Sequence, residues 1–188
     1  EPMEGVNEFA GAKFSSGTLP PEMLHKLSSQ GERQKFEDYF AKDKTHNSEL
    51  WSKIAPKIGR KSAPHGVVVK TFTLPDHAEE SRGAARDADL PYNIEAASRA
   101  IGVWALGTML FLFLAEENLV PVNRNDDITK AADMVAITDW DEREMEQRRS
   151  GIKNLPGRDL VAKLLSPSQK ERERLKLEHL LATHPFFH

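Results

Sequence analysis

The chain contains no cysteine, and this absence excludes disulfide bonds, thiolate metal ligands and cysteine nucleophiles. It also lacks an excess of either charge, since the formal net charge is -3. The sequence therefore has neither the basic field that attracts nucleic acid nor an acidic tail. We expect no nucleic-acid partner, and the missing cysteines fit an intracellular, cytoplasmic protein.

Long hydrophobic runs are also scarce. The most apolar stretch, residues 101–115, is shorter than the roughly 18 to 20 residues that a bilayer span needs, and Glu116 and Glu117 follow it. This stretch is hydrophobic nearly all round, so it predicts a buried core helix and no membrane partner. The first residues contain neither a basic region nor an apolar region, so they do not resemble a signal peptide and are expected to be a cut end.

Common catalytic motifs are absent as well. No Gly-rich nucleotide loop, Gly-x-Ser-x-Gly elbow or His-Glu-x-x-His motif occurs in the sequence. His184 and His188 have a possible ligand spacing, but the helix-breaking Pro185 lies between them, so a zinc site is not expected. We therefore assign no catalytic, cofactor-binding or metal-binding residue to this chain.

The sequence does contain enough apolar periodicity for one helical domain. Its 188 residues are 39% hydrophobic and 29% charged, which is typical of a globular domain with a core. Residues 67–73 are rich in β-branched side chains and predict one strand, and residues 77–89 predict an exposed loop or weak helix. The predicted helices cover residues 21–27, 32–57 in two parts, 93–119, 127–140, 141–149, 158–165 and 175–183. The predicted fold class is mainly α.

Four motifs occur in a characteristic order. Residues 15–22 end in Pro-Pro-Glu, and residues 102–107 read Gly-Val-Trp-Ala-Leu-Gly at the start of the apolar helix. Residues 164–167 read Leu-Leu-Ser-Pro, and residues 180–187 close on His-Pro-Phe-Phe. In this order they resemble the C-terminal helical lobe of the serine/threonine protein kinase family, from the activation segment to the end of the domain.

The resemblance implies a partial domain over residues 1–188. Residues 28–92 would be an insertion between the activation segment and the central helix, carrying one short strand or hairpin. The catalytic and metal-binding loops would lie in a missing N-terminal half, so ATP and Mg would be bound by the complete parent and not by this chain. That parent would transfer the γ-phosphoryl of ATP to a protein hydroxyl.

Gly102 leaves a second function open. The family has an Asp at this position, whose carboxylate braces the catalytic loop, and glycine has no side chain for that purpose. The alternative is a pseudokinase or signalling scaffold that uses the helical lobe as a docking surface. Protein substrates or regulators are the expected partners in both cases. An unrelated helical interaction module is a third alternative.

The resemblance assigns five residues to substrate positioning in the activation segment. These are Ser15, Ser16, Gly17, Thr18 and Leu19. Loop hydroxyls that cap turns are the alternative explanation for the serines. Farther along the chain, Asp126 and Asp127 are expected to cap the helix that follows them.

The resemblance also implies a structural ion pair. Glu22 would form a buried, bidentate pair with a late arginine, either Arg174 or, less well spaced from the chain end, Arg172. A glutamate that favours a helix start, beside solvated arginines, is the alternative. Trp104 and Gly107 would lie in the core of the central helix.

Overall fold

The computed structural model describes residues 7–9, 15–73 and 89–188. Helices dominate these residues, which confirms the mainly α expectation. The α-helices are α1 (Gln30–Tyr39), α2 (Ala41–His46), α3 (Ser48–Ile54), α4 (Arg99–Ala115), α5 (Ala131–Thr138), α6 (Glu142–Arg149), α7 (Leu155–Leu164), α8 (Gln169–Arg174) and α9 (Leu177–Thr183). Short 3₁₀ turns lie at Ser16–Thr18, Pro21–Met23 and Pro185–Phe187. Among the described helices, none combines the length and apolar character needed to cross a bilayer.

Two three-stranded sheets accompany the helices. Their strands are β1 (Asn7–Phe9), β2 (Leu24–Lys26), β3 (Lys57–Gly59), β4 (Ala63–Val69), β5 (Thr71–Thr73) and β6 (Glu95–Ala96). One sheet has the order β2-β4-β3 and is antiparallel. The other has the order β1-β5-β6, in which β1 and β5 are antiparallel and β5 and β6 are parallel. The expected inserted hairpin is present as β3 and β4. The expectation that it would be the single β element was wrong, because β2 pairs with β4 and a second sheet forms.

The prediction of a helix at residues 21–27 was also wrong. After the Pro21–Met23 turn the chain extends into β2, where Leu24 faces Val69 and Lys26 faces Val67 of β4. These strand partners lie more than 40 residues away in the sequence, and local propensity carries no information about them. Lys70 divides the predicted strand at residues 67–73 into β4 and β5.

Several predicted helix boundaries differ from the structure. Residues 32–57, which were predicted to hold two helices, contain parts of three, because the chain breaks at Phe40 and again at Asn47. The Asn47 side chain caps α3 by accepting a hydrogen bond from the Leu50 amide. Residues 95–96 form β6, so α4 begins at Arg99 instead of residue 93. Residues 77–88 of the loop or weak helix that was predicted at 77–89 lie outside the described residues.

Helix α4 is the central element, and α7 and α8 pack against it. Its inner side buries Val103, Trp104 and Phe111, each at most 2% exposed. Gly107 allows the close approach of α7, because a Cβ at this position would lie 2.6 Å from a side-chain carbon of Leu165. A larger side chain here would push the helices apart.

The outer side of α4 faces solvent. Met109 is 53% exposed and Phe113 is 74% exposed, and Leu106 and Leu112 are partly exposed on the same side. The expectation that this helix is buried all round was therefore wrong for one side. An exposed apolar stripe of this kind is typical of a surface that meets another element or molecule.

Candidate functional site

The side chains of Glu22 and Arg172 meet across the domain. Arg172 Nη2 donates a hydrogen bond to Glu22 Oε1 at 2.5 Å, and the two residues are 150 positions apart. The Arg172 side chain is fully buried and that of Glu22 is 14% exposed. The pair therefore ties the Pro21–Met23 turn to α8, near the other end of the described chain.

The buried guanidinium has two further contacts. Arg172 Nη1 donates to the carbonyl oxygen of Ser166, and the guanidinium carbon lies 5.3 Å from the centroid of the Trp104 ring. The expected bidentate geometry is absent, because one terminal nitrogen binds Glu22 and the other binds the backbone. A carboxylate, a carbonyl and an aromatic face together compensate the charge, which a buried arginine requires.

Helix geometry explains why Arg172, rather than Arg174, lies beside Glu22. Residues two positions apart in a helix point to nearly opposite sides. Arg172 faces α4, whereas Arg174 is exposed and has no ion-pair partner among the described residues. The spacing from the chain end, which favoured Arg174, does not determine this orientation.

Trp104 lies at the centre of this arrangement. It is fully buried, and its ring meets the ring of Trp140 edge-on with the centroids 5.4 Å apart. Trp140 Nε1 donates a hydrogen bond to the carbonyl oxygen of Leu165 at 3.0 Å. The aromatic pair therefore joins α4, the end of α5 and the end of α7 beneath the guanidinium.

The segment from Ser15 to Leu19 is held by the loop that precedes α5. The Ser16 amide donates to Asp127 Oδ1 at 3.0 Å, and the Ile128 amide donates to Ser16 Oγ at 2.8 Å. The Gly17 amide donates to the Asp126 carbonyl oxygen at 2.9 Å. Ser16 is only 7% exposed, so its hydroxyl serves this internal contact.

The prediction that Asp126 and Asp127 cap the next helix was wrong. The residue before α5 is Lys130, and no side chain caps this helix start. The carboxylate of Asp127 instead accepts hydrogen bonds from both the amide and the hydroxyl of Ser16. The polar character of this loop was visible in the sequence, but its partner lies 111 residues away.

Gly102 lies on the open side of α4. A Cβ at this position would meet no atom of the described residues within 4 Å. A cavity of about 210 Å³ lies beside it, lined among others by Leu19, Ile101 and Ala105. The structure therefore has room for a side chain at Gly102 and for another element next to it.

Two histidines have defined surroundings. His25 Nε2 lies 3.6 Å from Glu32 Oε2, and burial lowers the pKa of His25 despite this carboxylate. His184 Nδ1 accepts from the Phe186 amide at 3.2 Å, and its Nε2 lies 3.0 Å from Asp159 Oδ2. His184 is thus a buried capping residue with the proton on Nε2. Within the described ranges no group of three His, Asp or Glu residues is arranged to hold a metal ion.

Comparisons with known proteins were made by sequence and by structure. No protein-family model, no curated protein and no solved structure matches this chain. The function of this chain is therefore inferred from its own geometry and motifs.

Proposed function

We propose that the chain is the last, helical part of a serine/threonine protein kinase-like protein that transfers the γ-phosphoryl of ATP to a protein hydroxyl. The observation that carries this proposal is the buried ion pair between Glu22 and Arg172, which lies over the ring of Trp104. The kinase resemblance requires a Pro-Glu turn, a late arginine and a tryptophan on an apolar helix to meet. Short motifs that agreed with the family by chance would not be expected to bring these three residues into contact.

The arrangement suits a segment that positions a protein substrate. Glu22 fixes one end of residues 15–22, and Asp127 fixes Ser16 near the other end. A loop held at two points over a packed helix loses little entropy when a peptide binds along it, and well-oriented reactants react faster. Ser15, Gly17 and Thr18 of this segment would then contact the substrate backbone, while the buried Ser16 and Leu19 support the segment.

The proposal places ATP, Mg and the catalytic base on a segment that precedes this chain. The open side of α4 supports this division, because Leu106, Met109 and Phe113 form an apolar stripe that continues past Gly102. The missing N-terminal half would cover this stripe. By itself the chain would bind Mg-ATP weakly, because the described residues include no phosphate-binding loop or metal cluster.

Phosphoryl transfer by the full-length gene product tests the proposal. Purified full-length protein should transfer the labelled γ-phosphoryl of ATP to serine or threonine in a peptide library. The Glu22→Gln variant should lower transfer, whereas the exposed-site control Arg174→Gln should not. Two results would contradict the proposal: calorimetry showing tight Mg-ATP binding by residues 1–188 alone, or the absence of HRD-like and DFG-like motifs from the preceding sequence.

A scaffold is the second candidate function, and Gly102 favours it. This position has open space for a carboxylate but offers only a hydrogen atom, so it cannot brace a catalytic loop. A full-length protein that folds, retains the Glu22–Arg172 pair and transfers no phosphoryl group would be a pseudokinase. Restoration of transfer by Gly102→Asp would identify the missing carboxylate as the cause.

A further inference from the structure

A groove of about 580 Å³ lies between the β3–β4 turn and the start of α5. Its lining includes three cationic side chains, Lys57, Arg60 and Lys130, and the hydroxyls of Ser62 and Thr129. The described residues that line it include no carboxylate. None of them belongs to the Glu22–Arg172 pair or to residues 15–19. The groove is therefore a separate, positively charged surface.

The sheet and α5 bring these cations together from distant parts of the sequence. Lys57 begins β3 and Arg60 follows its end, whereas Lys130 directly precedes α5. Gly59 permits a close approach, because a Cβ at this position would lie 3.1 Å from the Cβ of Ala131. The turn after β3 therefore packs tightly against the beginning of α5, and the cations flank the contact.

Within the part of the chain that the structure describes, no acidic side chain pairs with these positive charges. Among the described residues, neither Arg60 nor Lys130 has an ion-pair or side-chain hydrogen-bond partner, and Lys57 Nζ donates to the Ser52 carbonyl oxygen at 3.0 Å. Lys26 provides a contrast on the same sheet, because its Nζ lies 2.6 Å from Asp139 Oδ1. Cations that share one concave surface without carboxylates raise the local potential and attract anions.

We infer that this groove docks an acidic peptide segment of a partner protein. Charge complementarity selects a ligand rich in Asp and Glu, and Ser62 and Thr129 can donate hydrogen bonds to its carboxylates or backbone. Ile58, which is 53% exposed, also lines the groove and offers an apolar contact. No aromatic residue of the described lining provides the stacking that single-stranded nucleic acid uses. The inference goes beyond the proposed kinase function and does not depend on it.

Fluorescence anisotropy with a fluorescein-labelled peptide of alternating Glu and Ser tests the inference on the full chain. A second peptide with Gln in place of every Glu is the ligand control. The Glu peptide should bind and the Gln peptide should not. Because the charges are exposed and the Debye length is about 8 Å at physiological ionic strength, binding should weaken as salt is added.

The double variant Arg60→Glu/Lys130→Glu should weaken binding of the Glu peptide about tenfold or more. The matched control is Lys35→Glu/Lys153→Glu, which changes the net charge equally at two exposed positions outside the groove. Circular dichroism should show native helix content for both variants, because all four residues are exposed. The variant Arg60→Lys/Lys130→Arg keeps the charges and should retain binding.

Three results would overturn the inference. The first is equal loss of affinity in the control variant, which would mean a general charge effect. The second is unchanged affinity in the groove variant. The third is displacement of the peptide by single-stranded RNA at a lower concentration than by unlabelled Glu peptide, which would identify the groove as a nucleic-acid site.

Discussion

Substitution of Arg172 by methionine should destabilise the chain severely. Arg172→Met keeps the length and apolar stem of the side chain but removes the guanidinium that binds Glu22 and the Ser166 carbonyl. Removal of one partner from a buried ion pair typically costs about 3–5 kcal/mol, because the other charge remains buried without compensation. Since domains of this kind have a free energy of unfolding of about 5–15 kcal/mol, the variant should lose a large fraction of its stability.

The partner substitutions follow the same reasoning. Glu22→Gln leaves an oxygen that still accepts a hydrogen bond, so its cost should be lower, about 1.5–3 kcal/mol. The double variant Glu22→Leu/Arg172→Met removes both charges and should cost much less than the sum of its single variants. Arg174→Met is the matched control, and at its exposed position it should change stability by no more than about 0.5 kcal/mol.

Urea unfolding, followed by tryptophan fluorescence, measures these four variants and the single variant Glu22→Leu, with which the double variant is compared. Trp104 lies under the guanidinium, so the fluorescence signal reports on this part of the core. A loss below about 1 kcal/mol for Arg172→Met, or equal losses for Arg172→Met and Arg174→Met, would contradict the reasoning. Strict additivity of the Glu22 and Arg172 substitutions would contradict it as well.

Four further predictions concern other parts of the chain. Gly107→Ala should destabilise by about 1–3 kcal/mol in urea unfolding, because the added methyl would lie 2.6 Å from the nearest side-chain atom at the end of α7. Gly102→Ala should stabilise by about 0.5–1 kcal/mol in the same assay, because the site is open and alanine favours the helix. A stabilised Gly107→Ala would contradict the first prediction, and a destabilised Gly102→Ala would contradict the second. Burial lowers the pKa of His25 below 6.5, so the folded state binds fewer protons than the unfolded state. The free energy of unfolding is therefore highest above about pH 6.5 and decreases as the pH falls below it. His25→Gln should therefore lose less stability than the wild type between about pH 7 and pH 5. Equal losses in the two proteins would show that His25 does not cause the pH dependence of stability. Asp127→Ala should increase protease cleavage near Ser16, because two hydrogen bonds to that residue are lost. Asp126→Asn should not, because asparagine tolerates the positive φ of this residue and leaves its backbone contact in place.

The elements that the sequence predicts correctly are those whose signals are local. Helix α6 follows Asp141, whose side chain accepts from the Glu144 amide, and such caps are readable within a few residues. The presence of α4 follows from an apolar run that is long for a strand. The importance of Glu22 and of Trp104 was likewise predictable, because both belong to short motifs.

The parts that could not be predicted depend on distant partners. Strand β2 exists because β4 lies beside it, and a three-residue segment has no pattern that reveals this. The exposed side of α4 is set by which elements pack on it, because its sequence is apolar on every side. The groove near Lys57 and Lys130 has no sequence signature, since its cations are 73 positions apart.

From its sequence alone this protein is predicted to be a mainly helical domain with a central apolar helix, free of cysteine chemistry, and the family resemblance adds the expectation that Glu22 pairs with a late arginine. Only the tertiary structure decides that this arginine is Arg172, that Asp127 binds Ser16 and that one side of α4 remains open. The physical reason is the range of the interactions. Helix propensity and capping act over one or two turns, whereas ion pairing, strand pairing and burial depend on which distant residues the folded chain brings into contact.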